Sequence, residues 1–379
     1  MRPERETGRP GRGHEVDGTP PQVRLEPVAT LAAVRSDWTE VAKQTRNVFS
    51  TWEWASIWWR HFGGSRPLML TACRSPSGRL VGILPLYRWS SRPLRIVRFL
   101  GHGPADQLGP VAAASDRVAI AAALRQALGE RRTEWDLFLG DELLGDEGWS
   151  TLLGATTLRF ETNPTLRLDD ESWERFLAGR SRNLRQQVRS YERRLFREGN
   201  ARYRLCDDAS RFEEDLDTLF ALHRARWRGE RSLFIEQRAF HREFALCAFE
   251  RGWARLWLLE VSGRPVAALY GFRFRDVEAY YQAGRDPAWD RASVGFVLLA
   301  HSIREALADG MREYRFLAGD QEYKQRFANT DPGLETIVLW RGAIGRAAVA
   351  AGLLSRRSRV LRTMLQPLRS AAVKERLDG

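Results

Sequence analysis

The chain has 379 residues, a length typical of two domains, and its 43% hydrophobic content can bury a core, which excludes wholesale disorder. Six histidines without metal-ligand spacing and three widely separated cysteines argue against a metal enzyme and a disulfide scaffold. The sequence has no apolar run long enough to cross a membrane, and residues 1–22 lack the apolar core of a signal peptide. We therefore expect a cytoplasmic protein with a disordered leader over residues 1–22.

The net charge of +12 is concentrated in two segments. Residues 180–205 contain nine arginines and two glutamates, and residues 342–379 contain eight basic and two acidic residues. Such segments suit nucleic acid, an anionic membrane surface or the phosphate of a small ligand. They are also typical of solvated surface in a chain that prefers arginine, because only Lys43, Lys324 and Lys374 are lysines among 60 basic residues. Residues 342–379 are predicted to form a basic helix or tail that lies on a membrane or packs on the domain.

Hydrophobic periodicity predicts the same series of elements twice, as three strands, a helix and a fourth strand. In the first half the series is Leu68–Ala72, Leu80–Trp89, Leu94–Leu100, Arg117–Leu128 and Trp135–Leu139. In the second half it is Arg255–Val261, Pro265–Phe274, Glu278–Ala283, Val294–Ala308 and Tyr314–Leu317. Two more helices are expected before the second series, from Arg180 to Glu198 and from near Phe212.

The two halves also repeat in their residues. Gly78–Leu84 (GRLVGIL) corresponds to Gly263–Leu269 (GRPVAAL), and Phe138–Asp141 (FLGD) corresponds to Leu317–Asp320 (LAGD). The offsets, 185 and 179 residues, agree with one duplicated unit. The order of the elements indicates a mixed α/β unit rather than a run of βαβ units.

One polar segment distinguishes the halves. The second half continues after its Gly-Asp pair with Gln321–Phe327 (QEYKQRF), whereas the first half continues with the sequence ELLG. We therefore expect an N-terminal unit at residues 23–168 that is a degenerate scaffold, and a C-terminal unit at residues 169–341 that carries the working site.

Several segments resemble the CelD/BioF-like acetyltransferase group of the GNAT superfamily. The most specific runs from Phe316 to Lys324, with the pattern Gly-Asp-x-x-Tyr-Lys. The others are Ser293–Leu299 with Ile303–Ala306 and Gly310, Trp52–Trp54 with Trp58-Trp59, Arg182–Arg185, and Leu222–Trp227. The group is also similar to Fem-type aminoacyl transferases, which pair two GNAT-like units.

This resemblance covers roughly residues 25–341 and has consequences for fold and function. It implies two tandem GNAT-like units, each a mostly antiparallel mixed sheet flanked by helices. It also implies transfer of an acyl group, typically acetyl from acetyl-CoA, to an amine or a hydroxyl. Related proteins are associated with exopolysaccharide or cell-envelope synthesis, so a small-molecule, glycan-linked or lipid-linked acceptor is expected, and no metal.

The helix expected near Val294 is the predicted site for the pyrophosphate of acyl-CoA, because helix N-termini present free N–H groups to anions. Ser293 would cap this helix, and Gly295 would allow close approach of the backbone. The expected donor contacts are Arg291, Ser293, Val294, Gly295 and Phe296. The usual GNAT loop, Gln/Arg-x-x-Gly-x-Gly/Ala, is replaced by Arg291-x-x-x-Gly295. An acyl carrier protein or an aminoacyl-tRNA therefore stays open as the donor, as does a non-catalytic scaffold.

Acyl transfer needs a base for the acceptor, stabilisation of developing negative charge and an acid for the leaving group. The candidates are Asp320 or Glu322 as base, Tyr323 or Tyr281 as acid, and Lys324 as the stabilising charge. A lysine here is informative because the chain uses so few. On an extended segment Asp320 and Lys324 would share one face, opposite Tyr323.

The acceptor pocket is expected beside the helix that begins near Phe212. His223 and Arg226, three residues apart, and Trp227, four residues from His223, share one face of this helix. His223 is either a second candidate base or a structural histidine packed on the tryptophan. Arg185, on the preceding basic helix, is expected to bind phosphate of a nucleotide-linked sugar, a lipid or a tRNA.

Overall fold

The computed structural model describes residues 23–90, 92–169, 172–227 and 230–357. The predicted leader, residues 1–22, and the tail beyond residue 357 lie outside this part of the chain. The strands are, in chain order, β1 (Arg24–Pro27), β2 (Leu68–Arg74), β3 (Leu80–Ser90), β4 (Ile96–Phe99), β5 (Val111–Ala112), β6 (Leu137–Leu144), β7 (Thr156–Glu161), β8 (Thr165–Arg167), β9 (Ala201–Leu205), β10 (Ala254–Val261), β11 (Arg264–Phe274), β12 (Val277–Arg285), β13 (Glu313–Arg315) and β14 (Leu334–Trp340).

The helices pack around two sheets. They are α1 (Arg35–Ala42), α2 (Trp52–Phe62), α3 (Arg117–Glu130), α4 (Trp149–Leu153), α5 (Trp173–Ala178), α6 (Arg182–Glu198), α7 (Phe212–Arg226), α8 (Leu233–Glu236), α9 (Arg238–Glu250), α10 (Val294–Ala308), α11 (Glu322–Phe327) and α12 (Gly342–Arg357). The first sheet has the order β1-β2-β3-β4-β6-β14-β7, with β5 paired to β3, and the second has the order β8-β13-β12-β11-β10-β9.

The duplicated series is confirmed by the structure. Strands β2, β3 and β4, helix α3 and strand β6 recur as β10, β11 and β12, helix α10 and strand β13. In each copy the first three strands are antiparallel neighbours, and the strand after the helix pairs parallel to the third strand. The architecture is therefore a pair of mixed sheets flanked by helices, as the sequence predicts.

The two halves exchange strands. β8, from the N-terminal half, pairs with β13 in the second sheet. β14, from the C-terminal half, lies between β6 and β7 in the first sheet. The boundary expected between residues 168 and 169 therefore does not separate the two sheets.

The larger hydrophobic core is shared by both halves. Trp54 of α2 lies edge-on to Phe244 of α9, with ring centroids 4.6 Å apart, and to Phe240 at 5.1 Å. Phe49 contacts Phe272 of β11 at 6.2 Å. Aromatic pairs of this kind add to the free energy gained from burial alone, so this packing fixes the halves against each other.

Strand β11 lies between two cores because its side chains alternate across the sheet. Tyr270 and Phe272 face the larger core, and Ala267 and Leu269 face a smaller core beneath α10. Helix α10 is thereby held on one face of the second sheet. Beside it, β12 pairs with β13 only over Val277–Ala279, whereas β12 itself continues to Arg285. β13 ends at Arg315, so β12 continues beyond Ala279 without pairing to it.

Candidate functional site

A cavity of about 430 Å³ lies beside the part of β12 that continues beyond β13. Its walls come from β11, β12, the start of α10 and the side chains of Arg226 on α7 and Tyr323 on α11. Cavities of this size that combine apolar walls with a few polar groups are typical small-molecule sites.

The N-terminus of α10 opens onto this cavity. Ser293 lies at the N-cap with a left-handed backbone, φ +53°, and its side chain makes no capping hydrogen bond. The predicted capping role of Ser293 is therefore wrong, because a capping hydroxyl normally projects from an extended N-cap residue. The first N–H groups of the helix have no intrahelical acceptor, so the helix end presents free donors and the positive end of its dipole.

The predicted donor contacts divide into three that line the cavity and two that do not. Ser293, Gly295 and Phe296 line it. Val294 is fully buried in the smaller core, and Arg291 is exposed and is not part of the wall. Phe296 also contacts Tyr191 of α6 edge-on, with ring centroids 6.3 Å apart, which ties the basic helix to the cavity wall.

Of the two tyrosines on β12, Tyr280 and not Tyr281 faces the cavity. Tyr281 is buried in the larger core, where its hydroxyl donates a hydrogen bond to the carbonyl oxygen of Pro104 at 2.6 Å. The prediction for Tyr281 fails because β12 carries a bulge: Tyr270 of β11 lies opposite Gln282, whereas Gly271 lies opposite Tyr280. The extra residue in the bulge reverses the alternation that the sequence suggests.

The polar segment after β13 is a helix and not the extended strand end that the sequence suggests. Leu317 and Gly319 both have left-handed backbones, with φ of 59° and 119°, and turn the chain before α11 begins at Glu322. As a result Asp320 and Glu322 are exposed, whereas Tyr323 reaches the cavity. The Tyr323 hydroxyl lies 3.3 Å from that of Tyr280, and burial raises the pKa of Tyr323.

Lys324 follows Tyr323 but does not line the cavity, and only 5% of its surface is exposed. Its Nζ donates hydrogen bonds to the carbonyl oxygens of Ala318, at 2.5 Å, and Leu317, at 3.5 Å. Burial lowers the pKa of Lys324 to about 8, although the nearby carboxylate of Asp106 opposes this shift. The ammonium group is therefore fixed in place and is charged only below weakly alkaline pH.

Asp106 is the residue that the sequence-based analysis missed. It lies in a polar loop of the N-terminal half, after β4 and between Gly101 and Gly109, and its charge interacts with that of Lys324. Desolvation raises its pKa to about 6, and the positive charge of Lys324 partly opposes that rise. The density of glycine and polar residues in this loop is the only indication in the sequence, because the contact joins positions more than 200 residues apart.

Two further carboxylates of the N-terminal half, those of Glu142 and Glu161, interact with the charge of Asp106. Burial raises the pKa of Glu142 to about 7, with Asp106 among the charges that add to the shift. Arg159 pairs with Glu142 at 2.7 Å and with Glu161 at 3.0 Å. Arg159 is thus the counter-ion of the two glutamates, whereas Lys324 is the positive charge that acts on Asp106.

His223 is held as a structural histidine. Its Nδ1 lies 3.0 Å from the carbonyl oxygen of Ala283 and must donate to it, so its Nε2 accepts from the Ser232 hydroxyl at 2.9 Å. Burial lowers the pKa of His223 to about 4, so neither nitrogen is available to accept a proton from a substrate. Arg226 does line the cavity, whereas Trp227 is 41% exposed at the end of α7.

The arginines of α6 form a separate basic groove. It has a volume of about 380 Å³ and is lined by Arg182, Arg185, Gln186, Arg189, Ser190 and Arg193. Arg185 also donates hydrogen bonds to the carbonyl oxygens of Ala178 and Arg180, at 3.0 and 2.6 Å. None of these residues lines the cavity at α10.

Among the residues that the structure describes, no group of three or more His, Cys, Asp or Glu side chains could hold a metal ion. In the same part of the chain no helix combines the length and apolar character needed to cross a bilayer.

One protein-family model matches part of the second half of the chain. Residues 182–325 match the acetyltransferase (GNAT) domain family. A search of curated protein sequences found no match. The matched span contains both the basic helix and the cavity, and it ends just after Lys324.

Solved structures resemble nearly the whole chain. FemX is 12% identical, with a TM-score of 0.60 over 84% of this chain and 97% of FemX. The C-terminal domain of a putative lysylphosphatidylglycerol synthetase from Agrobacterium fabrum is 11% identical, with a TM-score of 0.56 over 85% and 95%. A protein of unknown function from Bacteroides thetaiotaomicron is 16% identical, with a TM-score of 0.52 over 84% and 99%. The chain thus shares the fold of these structures, and residues 182–325 match a GNAT acetyltransferase domain model.

Proposed function

We propose that the protein transfers an acyl group from acyl-CoA, typically acetyl-CoA, to an amine or hydroxyl of a glycan-linked or lipid-linked acceptor. The observation that carries this proposal is the cavity at α10, where a helix N-terminus without a side-chain cap faces the part of β12 that continues beyond β13. The CelD/BioF-like character of the sequence supports a role in exopolysaccharide or cell-envelope synthesis.

The residues of the cavity fit the phosphate end of acyl-CoA. The free N–H groups at the start of α10 would hold the pyrophosphate, and Gly295 adds no side chain in their way. A Cβ at Gly295 would have Arg285 Cδ, at 3.7 Å, as its nearest neighbour, so the space beside this residue is open to a ligand. Arg285 itself is paired with Asp290 at 2.6 Å, so the backbone rather than this arginine supplies most of the attraction.

We assign the chemistry to Asp106, Lys324 and Tyr323, of which Tyr323 lines the cavity. Acyl-CoA would supply an activated acyl thioester there. Asp106, with a pKa of about 6, is ionised at neutral pH and would take the proton of the acceptor amine or hydroxyl. Lys324 would stabilise the negative charge that develops in acyl transfer, and the neutral Tyr323 hydroxyl would donate a proton.

Donor binding tests the proposal directly. Thermal unfolding of the protein should shift upward with acetyl-CoA or a longer acyl-CoA, since a ligand at 100 times its Kd adds about 2.7 kcal/mol of stability. Gly295→Trp should abolish the shift by filling the cavity. Gly129→Trp is the matched control, because Gly129 is exposed on α3 with no atom within 4 Å of an added Cβ. Cooperative unfolding that no CoA compound shifts would contradict the proposal.

A second candidate, transfer from aminoacyl-tRNA, is favoured by the basic groove on α6. Binding of mixed tRNA, followed by fluorescence anisotropy, should then weaken steeply with salt. The double variant Arg189→Gln with Arg193→Gln should lower the salt dependence by up to about two phosphate contacts. Arg125→Gln with Arg264→Gln, which changes two exposed arginines outside the groove, is the control. No tRNA binding at low salt would remove this candidate.

We further propose a cytoplasmic protein whose C-terminal segment touches the membrane surface. Helix α12 begins the basic segment and exposes Ile344 and Leu353. Co-sedimentation with anionic vesicles should be reduced by Ile344→Asp, because apolar insertion and charge together drive such binding. Equal sedimentation of both forms would oppose this part of the proposal.

A further inference from the structure

We propose that a second cavity, walled mainly by the N-terminal half, binds a sugar ring of the acceptor. It has a volume of about 170 Å³. Its aromatic wall consists of Trp58, Phe62, Tyr87 and Trp89, and Gln237 and His102 contribute polar groups. This inference rests on the proposed acyl transfer and names the class of acceptor that the same reaction would use.

The lining suits a pyranose ring. The C–H faces of a sugar pack on aromatic rings, while its hydroxyls need polar partners at the edges. Pockets that enclose a complete drug-sized ligand start near about 300 Å³, so this cavity holds one small ring rather than a large cofactor. An aromatic cage for a quaternary ammonium is disfavoured, because Arg66 lines the cavity and Arg98 lies over the Trp89 ring at 4.7 Å.

Gln237 and His102 are the polar groups of the second cavity that a ligand hydroxyl would contact. The buried Oε1 atom of Gln237 has no hydrogen-bond partner within the described part of the chain. A buried acceptor of this kind costs free energy until a donor reaches it, and a sugar hydroxyl would be such a donor. His102 is fixed by its ring contact with the Tyr87 hydroxyl at 2.8 Å, and its carbonyl oxygen accepts from Trp58 Nε1 at 3.2 Å.

The second cavity and the reactive groups share one loop. Pro104 lines the cavity and also accepts the hydrogen bond of Tyr281, and Asp106 follows two residues later. Two residues span at most about 7 Å of backbone. A sugar in the cavity would therefore place a hydroxyl or amine of the same or the next ring near Asp106.

Saturation-transfer NMR with the full-length protein tests the site, using methyl glycosides of glucose, galactose and N-acetylglucosamine as probes. We expect saturation of ring protons for at least one glycoside, with affinity at least tenfold weaker in Trp89→Ala. Trp340→Ala is the matched control, because Trp340 is 39% exposed and lies outside the cavity. Gln237→Leu, which removes the unpartnered oxygen with little change in volume, should weaken binding if Trp89→Ala does not fold.

The outcomes separate this inference from the proposed function. Binding of acyl-CoA without binding of any glycoside overturns the sugar site and leaves acyl transfer standing. Binding of glycosides without any acyl donor overturns the proposed function and leaves the sugar site standing. Glycoside binding that both cavity variants retain, or saturation of tetramethylammonium in place of the sugars, also overturns the assignment.

Discussion

Replacing Asp106 by Asn should lower the pKa of Lys324. The two groups come from different halves of the chain, and the carboxylate of Asp106 is the largest influence that keeps the Lys324 ammonium charged. Asparagine has nearly the same shape but cannot be ionised. The substitution therefore removes the charge and leaves the packing of the loop in place.

The size of the effect follows from the burial of Lys324. Its pKa falls from 10.5 to about 8, which corresponds to a net penalty of roughly 3 kcal/mol on the charged form. Loss of Asp106 removes the largest influence that opposes burial, so the pKa of Lys324 should fall further below 8. A decrease of one unit would lower the charged fraction at pH 7.5 from roughly three quarters to about one quarter.

The small number of lysines makes this pKa measurable. Protein labelled with ¹³C at the lysine Cε position gives signals from only Lys43, Lys324 and Lys374. Lys324→Arg assigns the signal of interest, and a pH titration gives its pKa with and without Asp106→Asn. Lys43, an exposed residue paired with Glu40, supplies a reference signal from outside the site.

Two results would refute this reasoning. A Lys324 signal that titrates near 10.5 in the unmodified protein would mean that the ammonium group is solvated. A pKa near 8 that Asp106→Asn leaves unchanged would mean that the two charges do not interact. If both expectations hold, the variant should also lose about 10²- to 10⁴-fold in transfer rate, the usual contribution of a general base.

Three further predictions follow from the same structure. The transfer rate should be bell-shaped in pH, rising through about 6 as Asp106 ionises and falling above about 8 as Lys324 loses its proton, and a flat profile would exclude this pair. The buried His241, whose pKa burial lowers to about 3, binds a proton more readily when unfolded, so stability should fall as pH drops below 6.5. His241→Phe should recover up to about 3 kcal/mol at pH 4.5 in denaturant titrations, and an unchanged acid sensitivity would contradict this. The fragment 169–379 should lack cooperative unfolding, because its removal from the N-terminal half exposes Phe244 and Phe272, and a sharp calorimetric transition would show otherwise.

The regular elements could be predicted from the sequence because their apolar patterns are long. The stripe on α10 and the alternating runs of β10 and β11 extend over eight or more residues, and the observed ends differ from the expected ones by only one residue for these elements. The resemblance to GNAT enzymes also led to the prediction of donor contacts at Ser293, Gly295 and Phe296, which line the cavity.

The predictions that failed concern features that depend on local backbone geometry or on contacts between distant residues. The bulge in β12 exchanges the roles of Tyr280 and Tyr281, and no composition rule places a bulge at that step. The left-handed turn at Leu317 changes an expected strand end into a helix, although a bulky residue rarely adopts that conformation. Asp106 becomes important only because the fold brings its loop to Lys324.

The exchange of strands explains how one working site can depend on both copies of a duplicated unit. The donor cavity is built from β11, β12, α10 and nearby residues of the second half. Asp106, whose negative charge opposes the lowering of the Lys324 pKa, comes from the loop after β4. Residues of the same loop line the proposed sugar cavity. On our proposal the first unit lost its own polar segment after β6 but kept the acceptor side of the reaction. The shared core around Trp54 then has a direct chemical consequence, because any shift of one half against the other would separate Asp106 from Lys324.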